Sequence, residues 1–213
     1  MNAFFFDVDG TLFDTRRDLA ATVNHTRADL GLARLPVEEV IIHVGQGARY
    51  LLNHSILGEM GSSAPAFDEV WELFRSHYAE HCCETLTPYP LVLETLHELK
   101  RRGVLLGINT NKPNFAVRTI LEKFELTELF GAAVIAGGDG IALKPDAASL
   151  IACAERLGHP LAPDDWMVGD SWTDLECAAR AGVQSAFCSY GFGKRNHAPA
   201  TLELAAFADL LDL

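Results

Sequence analysis

Lysine, paired cysteines and long apolar runs are all scarce in this sequence, and each scarcity limits the functions it can have. No lysine occurs before Lys100. The five cysteines are odd in number and include no Cys-x-x-Cys pair, so we expect reduced thiols. The eight histidines show no ligand spacing with the cysteines, so we expect no zinc site of this kind. No stretch approaches the ~20 apolar residues of a membrane span, and no basic region with an apolar core opens the chain. These features predict a cytoplasmic protein that binds no membrane.

Basic residues are few in general: 17 Lys and Arg stand against 29 Asp and Glu, which gives a net charge of -12. Such a surface repels nucleic acid and anionic lipid, so we expect no nucleic-acid partner. An anionic substrate would have to be held by a local cluster of cations, a metal ion or backbone amides. The 213 residues, 49% of them hydrophobic, are enough for one domain with an insertion or for two modest domains.

Short apolar runs alternate with helical patterns through most of the chain. The runs Ala3–Phe6, 104–108 and 166–168 each end directly in polar residues. Runs of this kind are typical of strands that are buried on both faces of a parallel sheet. Between them, segments such as 91–102 and 115–124 carry apolar residues at helical spacing. The alternation predicts an α/β fold with a doubly wound parallel sheet.

Residues 16–84 break this alternation, because they contain helical patterns and no convincing strand. The clearest patterns cover residues 19–30 and Phe67–His81. The segment follows the first strand, and we interpret it as an insertion that packs over the carboxyl edge of the sheet. The chain then divides into an α/β core of residues 1–14 and 86–213 and a helical insertion of residues 15–85.

The ends of two predicted strands carry acids that could share a metal ion. Asp7 and Asp9 follow the first strand, and residues two apart on an extended chain point the same way. Their mutual repulsion requires a cation or a shared proton. Mg²⁺ suits such a pair because it prefers hard oxygen ligands. Asp170 ends another strand and is a candidate to complete the site, whereas Asp174 opens the next helix, where an acid also interacts favourably with the helix dipole.

Polar residues at two further junctions are candidates for holding phosphate oxygens. Thr110 and Asn111 follow the second strand, where a hydroxyl and free backbone N–H groups can bind such oxygens, although the same residues also suit a turn. Lys144 precedes a predicted helix; alone it would be read as a solvated lysine. The prediction depends on the order of all four groups, each at its own strand–loop–helix junction.

Together these segments resemble the four-motif pattern of the haloacid dehalogenase superfamily. The motifs are Asp-Val-Asp-Gly-Thr-Leu at residues 7–12, then Thr110, then Lys144 with its following proline, and Gly-Asp-Ser-x-x-Asp at residues 169–174. The insertion after the first motif looks like that superfamily's helical cap. Within the superfamily the sequence is most similar to the phosphoglycolate phosphatase group, through residues 109–113 among others.

The resemblance implies a phosphatase that hydrolyses a small phosphate monoester. Asp7 would attack phosphorus and form an aspartyl-phosphate. Asp9 would protonate the leaving oxygen and then take a proton from water. Asp7, the backbone carbonyl of Asp9 and Asp170 would hold Mg²⁺, with Asp174 in a supporting role. The residues implied to bind the phosphoryl group are Thr110, Asn111 and Lys144.

Four arginines of the insertion leave alternative activities open. A sugar-phosphate mutase shares the core motifs but must hold a bisphosphate, for which Arg16, Arg17, Arg27 and Arg49 are candidates. Pyrophosphate or nucleotide monophosphate hydrolysis is a comparable alternative. The presence of Asp9 argues against dehalogenation, and the absence of lysine from the insertion argues against phosphonate cleavage. Intact motifs argue against a non-catalytic binding module.

The substrate's identity is expected to depend on the insertion. Residues 45–47 read Gly-Gln-Gly and stand beside Arg49. We hypothesise that this loop closes over the site and that Arg49 binds a substrate carboxylate. The alternative is a helix start that carries a solvated arginine.

Overall fold

The apolar runs of the sequence form the strands of a computed structural model that describes residues 2–213. The strands are β1 (Ala3–Phe6), β2 (Phe13–Asp14), β3 (Thr87–Pro88), β4 (Leu105–Pro113), β5 (Val134–Gly137), β6 (Trp166–Gly169), β7 (Gln184–Cys188) and β8 (Leu202–Leu204). The helices are α1 (Arg16–Asp29), α2 (Val37–Ile41), α3 (Ala48–Leu52), α4 (Gly58–Met60), α5 (Phe67–His81), α6 (Val92–Arg101), α7 (Asn114–Lys123), α8 (Thr127–Phe130), α9 (Ala148–Arg156) and α10 (Trp172–Ala181). A π-helical turn (Asn53–Leu57) and two 3₁₀ turns (Gly61–Ser63 and Phe207–Asp212) complete the helical elements. In this described part of the chain, no helix combines the length and the apolar character needed to cross a bilayer.

Six strands form one parallel sheet in the order β5-β4-β1-β6-β7-β8, so β1 lies inside the sheet between β4 and β6. Successive side chains of a strand point to opposite faces. Phe5 therefore packs into the layer that contains α9 and α10, while Phe4 and Phe6 pack into the opposite layer with α6 and α7. All three rings are buried. The predicted doubly wound α/β sheet is confirmed.

Strand β4 is longer than the sequence pattern predicts. The apolar run ends at Ile108 and the polar residues after it suggest a turn, but the strand continues to Pro113 with a register shift against β5. The polar side chains are buried here rather than solvated. Asn109, for example, contacts the sulfur atoms of Met167 and Cys177. Polar residues thus remain in an extended strand because buried partners hold them.

Helices α1 to α5 form the helical insertion, which has an apolar cluster of its own. Leu19 and Val23 of α1 pack in this cluster with Val70 and Phe74 of α5. The chain enters and leaves the insertion through β2 and β3, which pair in antiparallel fashion. These two-residue strands, like the three-residue β8, are too short to produce a periodicity in the sequence.

Candidate active site

The carboxyl ends of β1, β4 and β6 meet beneath the helical insertion, where the sheet leaves room for a ligand. A pocket with a cavity volume of about 40 Å³ lies between the two parts. The core lines it with Asp7, Asp9 and residues 110–113. The insertion contributes mainly small and apolar residues, among them Leu19, Val44, Leu51 and Phe74. The pocket is therefore charged on one wall and apolar on the other.

Three carboxylates lie together at the sheet edge. Oxygen atoms of Asp7, Asp170 and Asp174 all lie within 4.8 Å of one another, and all three residues are buried. Burial, followed by repulsion from Asp7 and Asp174, raises the pKa of Asp170 well above its usual value. Burial also raises the pKa of Asp174 to about 6, against the opposing attraction of Lys144. A cluster of hard oxygen donors with unfavourable self-repulsion fits a divalent cation such as Mg²⁺.

Lys144 is a buried partner of this cluster rather than a solvated side chain. Its Nζ lies 2.9 Å from Asp7 Oδ1 and donates to Asp174 Oδ1 at 2.5 Å. Burial lowers the pKa of Lys144, but attraction by Asp174 and Asp7 outweighs burial and leaves the pKa raised. Asp174 also accepts from the backbone N–H of Ser171 at the start of α10, so it serves as a helix cap and as a partner of Lys144.

The third carboxylate is held by backbone groups instead of a lysine. Asp170 Oδ2 accepts hydrogen bonds from the N–H groups of Phe192 (3.0 Å) and Gly193 (2.6 Å). Gly10 makes room for it, because a Cβ at this positive-φ position would lie only 1.8 Å from Asp170 Oδ2. The loop after β7 was not recognised in the sequence. Its only signal is the Gly-Phe-Gly at residues 191–193.

Asp9 stands apart from the three clustered carboxylates and has its own cation. Its Oδ1 accepts from Thr15 Oγ1 at 2.7 Å and from Lys112 Nζ at 2.6 Å. Lys112 also donates to the hydroxyl of Tyr78, which comes from α5 of the insertion. Burial lowers the pKa of Lys112, and attraction by Asp9 and Tyr78 outweighs it and raises the pKa. The sequence does not indicate a role for either side chain. Lys112 stands within residues 109–113, which carry the resemblance, but its partner Asp9 is distant in the chain, and Tyr78 reads as one more aromatic on an apolar helix face.

The side chains of Asn111 and Thr110, near the end of β4, make different hydrogen bonds. The Asn111 side-chain amide donates to the carbonyl oxygens of Gly45 (2.8 Å) and Lys144 (2.9 Å) and accepts from the N–H of Lys144 (2.8 Å). Both amide hydrogens are therefore engaged, and the side chain links the Gly-rich loop to the core. Thr110 Oγ1 accepts from the N–H of Lys112 (3.2 Å), which leaves its own proton available to a ligand.

Arg49 does not line the pocket with Asp7, Asp9, Thr110 and Asn111. The other predicted residues reach this site through Asp7: Lys144, Asp170 and Asp174. The Arg49 side chain is exposed and its guanidinium lies 3.6 Å from the centroid of the Phe67 ring. In this position the guanidinium is attracted to the face of the ring and also stays hydrated. Arg16 pairs with Asp14, and Arg27 bonds to the insertion's own backbone and to an acid. Lys112 is the only cationic side chain among the described residues that line the pocket.

Comparison with known proteins agrees with this arrangement. The family model of haloacid dehalogenase-like hydrolases matches residues 4–188. The phosphoglycolate phosphatase of Agrobacterium fabrum is 37% identical over 189 residues, which cover 88% of this chain and 80% of that protein. The phosphoglycolate phosphatase of Chromobacterium violaceum is 34% identical over 217 residues, with 100% and 96% of the two chains covered.

Solved structures give the same result for the fold. The crystal structure of a predicted phosphoglycolate phosphatase from Haemophilus somnus superimposes with a TM-score of 0.90 at 29% identity, covering 100% of this chain and 97% of that chain. The family match extends over both the core and the helical insertion. The resemblance inferred from the motifs is confirmed, and the chain belongs to the haloacid dehalogenase-like hydrolase family.

Proposed function

We propose that the protein is a magnesium-dependent phosphatase that hydrolyses a small, phosphoglycolate-like phosphate monoester through an aspartyl-phosphate on Asp7. The observation that carries the proposal is the separation of two acids in one pocket. Asp7 belongs to the carboxylate cluster and pairs with Lys144, whereas Asp9 is held by Lys112 and Thr15. One carboxylate can act as nucleophile while the other transfers protons. The names of the two relatives supply the substrate class.

The reaction takes two steps in which both acids are regenerated. A carboxylate oxygen of Asp7 bonds to phosphorus, the bond from phosphorus to the ester oxygen breaks, and Asp9 gives its proton to the leaving alcohol. Water then attacks phosphorus, Asp9 accepts a proton from it, and the bond between phosphorus and the Asp7 oxygen breaks. The products are the alcohol and inorganic phosphate.

The remaining site residues stabilise the negative charge of the phosphoryl group during these steps. Asp7, Asp170 and the backbone carbonyl of Asp9 would hold Mg²⁺, with Asp174 in support. When bound, the ion neutralises charge on the phosphoryl oxygens. Lys144 adds a positive charge beside Asp7, and the Thr110 hydroxyl donates to a phosphoryl oxygen. Asn111 lines the pocket, and its side-chain amide positions Lys144 and the Gly-rich loop.

The shape of the pocket favours a small substrate. Its cavity volume is only about 40 Å³, so it has no room for a bulky leaving group. We further propose that residues 15–85 act as a cap that excludes water from the core wall. The sugar-phosphate mutase alternative needs cations for a second phosphate, and none of its four candidate arginines lines the pocket: Arg16, Arg17, Arg27 and Arg49. Hydrolysis of pyrophosphate or nucleotide monophosphates stays an alternative that the substrate assay addresses.

The proposal is tested by measuring p-nitrophenyl phosphate hydrolysis with Mg²⁺ and with EDTA. We expect turnover that requires the metal and an Asp7→Asn variant with kcat reduced at least ~10³-fold, because the nucleophile is lost. Asp164→Asn, at an exposed acid, is the matched control and keeps wild-type kcat. Activity retained by Asp7→Asn contradicts the mechanism, and no metal-dependent turnover favours a binding module.

A panel of substrates tests the leaving group. It contains 2-phosphoglycolate, hexose phosphates, pyrophosphate and nucleoside monophosphates, each measured by phosphate release. The largest kcat/KM is expected for 2-phosphoglycolate or another small monoester. Two results would contradict the proposed substrate class without contradicting the role of Asp7. One is a preference for pyrophosphate or a nucleotide, and the other is isomerisation of a hexose phosphate without phosphate release.

A further inference from the structure

Three histidines of the helical insertion form a cluster that is separate from the pocket. His77 and His81 are four residues apart on α5, so they share one helix face. His25 lies on α1, which packs against α5. The centroid of its ring is 5.4 Å from that of His77 and 5.2 Å from that of His81. One nitrogen of each ring lies within 4.8 Å of the other two, and none of the three residues lines the pocket.

Two of these rings are already oriented by carboxylates. His77 Nε2 hydrogen-bonds to Asp29 Oδ2 at 2.7 Å, and His81 Nδ1 hydrogen-bonds to Glu84 Oε1 at 2.8 Å. Each bond engages one ring nitrogen, and the second nitrogen of His81, Nε2, lies 3.8 Å from Oε2 of the exposed Glu80. Histidines that bind metals usually donate their second N–H to a carboxylate, which fixes the ring and raises its basicity as a ligand. The cluster therefore contains imidazole nitrogens that can bind a metal and carboxylates that orient the imidazole rings.

We propose that His25, His77 and His81 form a binding site for a divalent transition metal such as Zn²⁺. Imidazole nitrogens suit Zn²⁺, Cu²⁺ and Ni²⁺, whereas the carboxylate cluster at the sheet edge suits a hard cation. Three protein ligands leave one position of a tetrahedral ion to solvent. The ion links α1 to α5 and so stabilises the helix that carries Tyr78 into the pocket.

The site is tested by titrating Zn²⁺ into the full chain by calorimetry in the presence of excess Mg²⁺, which competes with Zn²⁺ for the carboxylate cluster. We expect one Zn²⁺ per chain and a higher Tm of the zinc-bound protein. His25→Gln and His77→Gln each weaken Zn²⁺ binding at least ~10-fold, and Asp29→Asn weakens it about 10-fold through His77. The metal-free Tm of each variant checks that the insertion is folded.

Two matched variants decide which cluster holds the zinc. His54→Gln removes an exposed histidine of the same insertion that stacks on Tyr50, and it keeps wild-type affinity. Asp170→Asn alters the carboxylate cluster and also keeps wild-type zinc affinity. The proposal is overturned if no Zn²⁺ binds, if binding is unchanged in both His25→Gln and His77→Gln, or if it is lost in Asp170→Asn. These outcomes do not depend on catalytic activity, so they leave the proposed function untouched.

Discussion

The two walls of the pocket differ in how their side chains are satisfied. The core wall carries acids with cationic partners: Asp9 pairs with Lys112, and Asp7 pairs with Lys144, which does not itself line the pocket. The wall formed by the insertion is mainly apolar, and its side-chain contributions to this network are the hydroxyls of Tyr78 and Thr15. Under the proposed function, this difference assigns the chemistry to the core. It assigns the shape of the pocket and the exclusion of water to the insertion.

The same difference sets the size of the effects expected from substitutions. Charges that are buried beneath an apolar wall interact strongly because little water screens them. Changes on the core wall should therefore reduce kcat severely. Changes on the insertion wall should alter stability and substrate choice more than the chemical step.

Lys144→Met is expected to have the largest effect. It removes the cation beside Asp7 and Asp174 and leaves the buried carboxylates with their full repulsion. We expect kcat for p-nitrophenyl phosphate to fall about 10³-fold at saturating Mg²⁺. Lys100→Met, at an exposed lysine, serves as control and retains activity. A loss below ~10-fold would show that the core wall does not need this charge.

Lys112→Met is expected to act through Asp9. The carboxylate loses a buried partner, so proton transfer to the leaving oxygen suffers, and kcat should fall ~10- to 100-fold. The fall should be larger for an alkyl phosphate than for p-nitrophenyl phosphate, whose leaving group needs little protonation. Tyr78→Phe, which keeps the ring but removes the hydroxyl, should show the same preference with a smaller loss. Equal losses for both substrates would assign Lys112 a structural role only.

Leu51→Ala tests the apolar wall. Leu51 is buried in the cluster of the insertion and lines the pocket, so truncation should lower the free energy of unfolding by about 2–5 kcal/mol. We expect kcat for p-nitrophenyl phosphate to change little while the ranking of leaving groups changes. Ile151→Ala, at an exposed residue of α9, controls for truncation itself. Denaturant unfolding measures the change in stability, and the substrate panel measures the ranking of leaving groups. An unchanged ranking would show that the apolar wall does not influence substrate choice.

Arg49→Ala is expected to have the smallest effect. The guanidinium lies over Phe67 at the surface, and such a contact contributes about 0.5–1 kcal/mol. The kcat/KM for acidic phosphates should stay within about twofold of the wild-type value. If kcat/KM for 2-phosphoglycolate falls ~10-fold or more while kcat/KM for p-nitrophenyl phosphate is unaffected, Arg49 contacts the substrate. The wall formed by the insertion would then include a charged residue.

The sequence predicts those parts of the molecule that depend on local pattern. Strand β1 and the acids after it can be recognised because the apolar run and the acids are adjacent in the chain. That local pattern is enough to predict a buried parallel strand and the polar residues at its carboxyl end. The pairing of Asp9 with Lys112 spans 103 positions and depends on tertiary contact. The position of Arg49 was inferred from its glycine neighbours, whereas the ring of Phe67 determines where its side chain lies.

The short antiparallel pair of β2 and β3 has a consequence for how members of this fold can diversify. Phe13 pairs with Pro88 and Asp14 with Thr87, so both crossings of the chain between the two parts lie side by side. A segment joined at one such point can be exchanged for another of different length without altering the strands that carry Asp7 and Asp170. A chimera that grafts a foreign helical segment between β2 and β3 would thus acquire a new leaving-group preference while retaining its own catalytic edge.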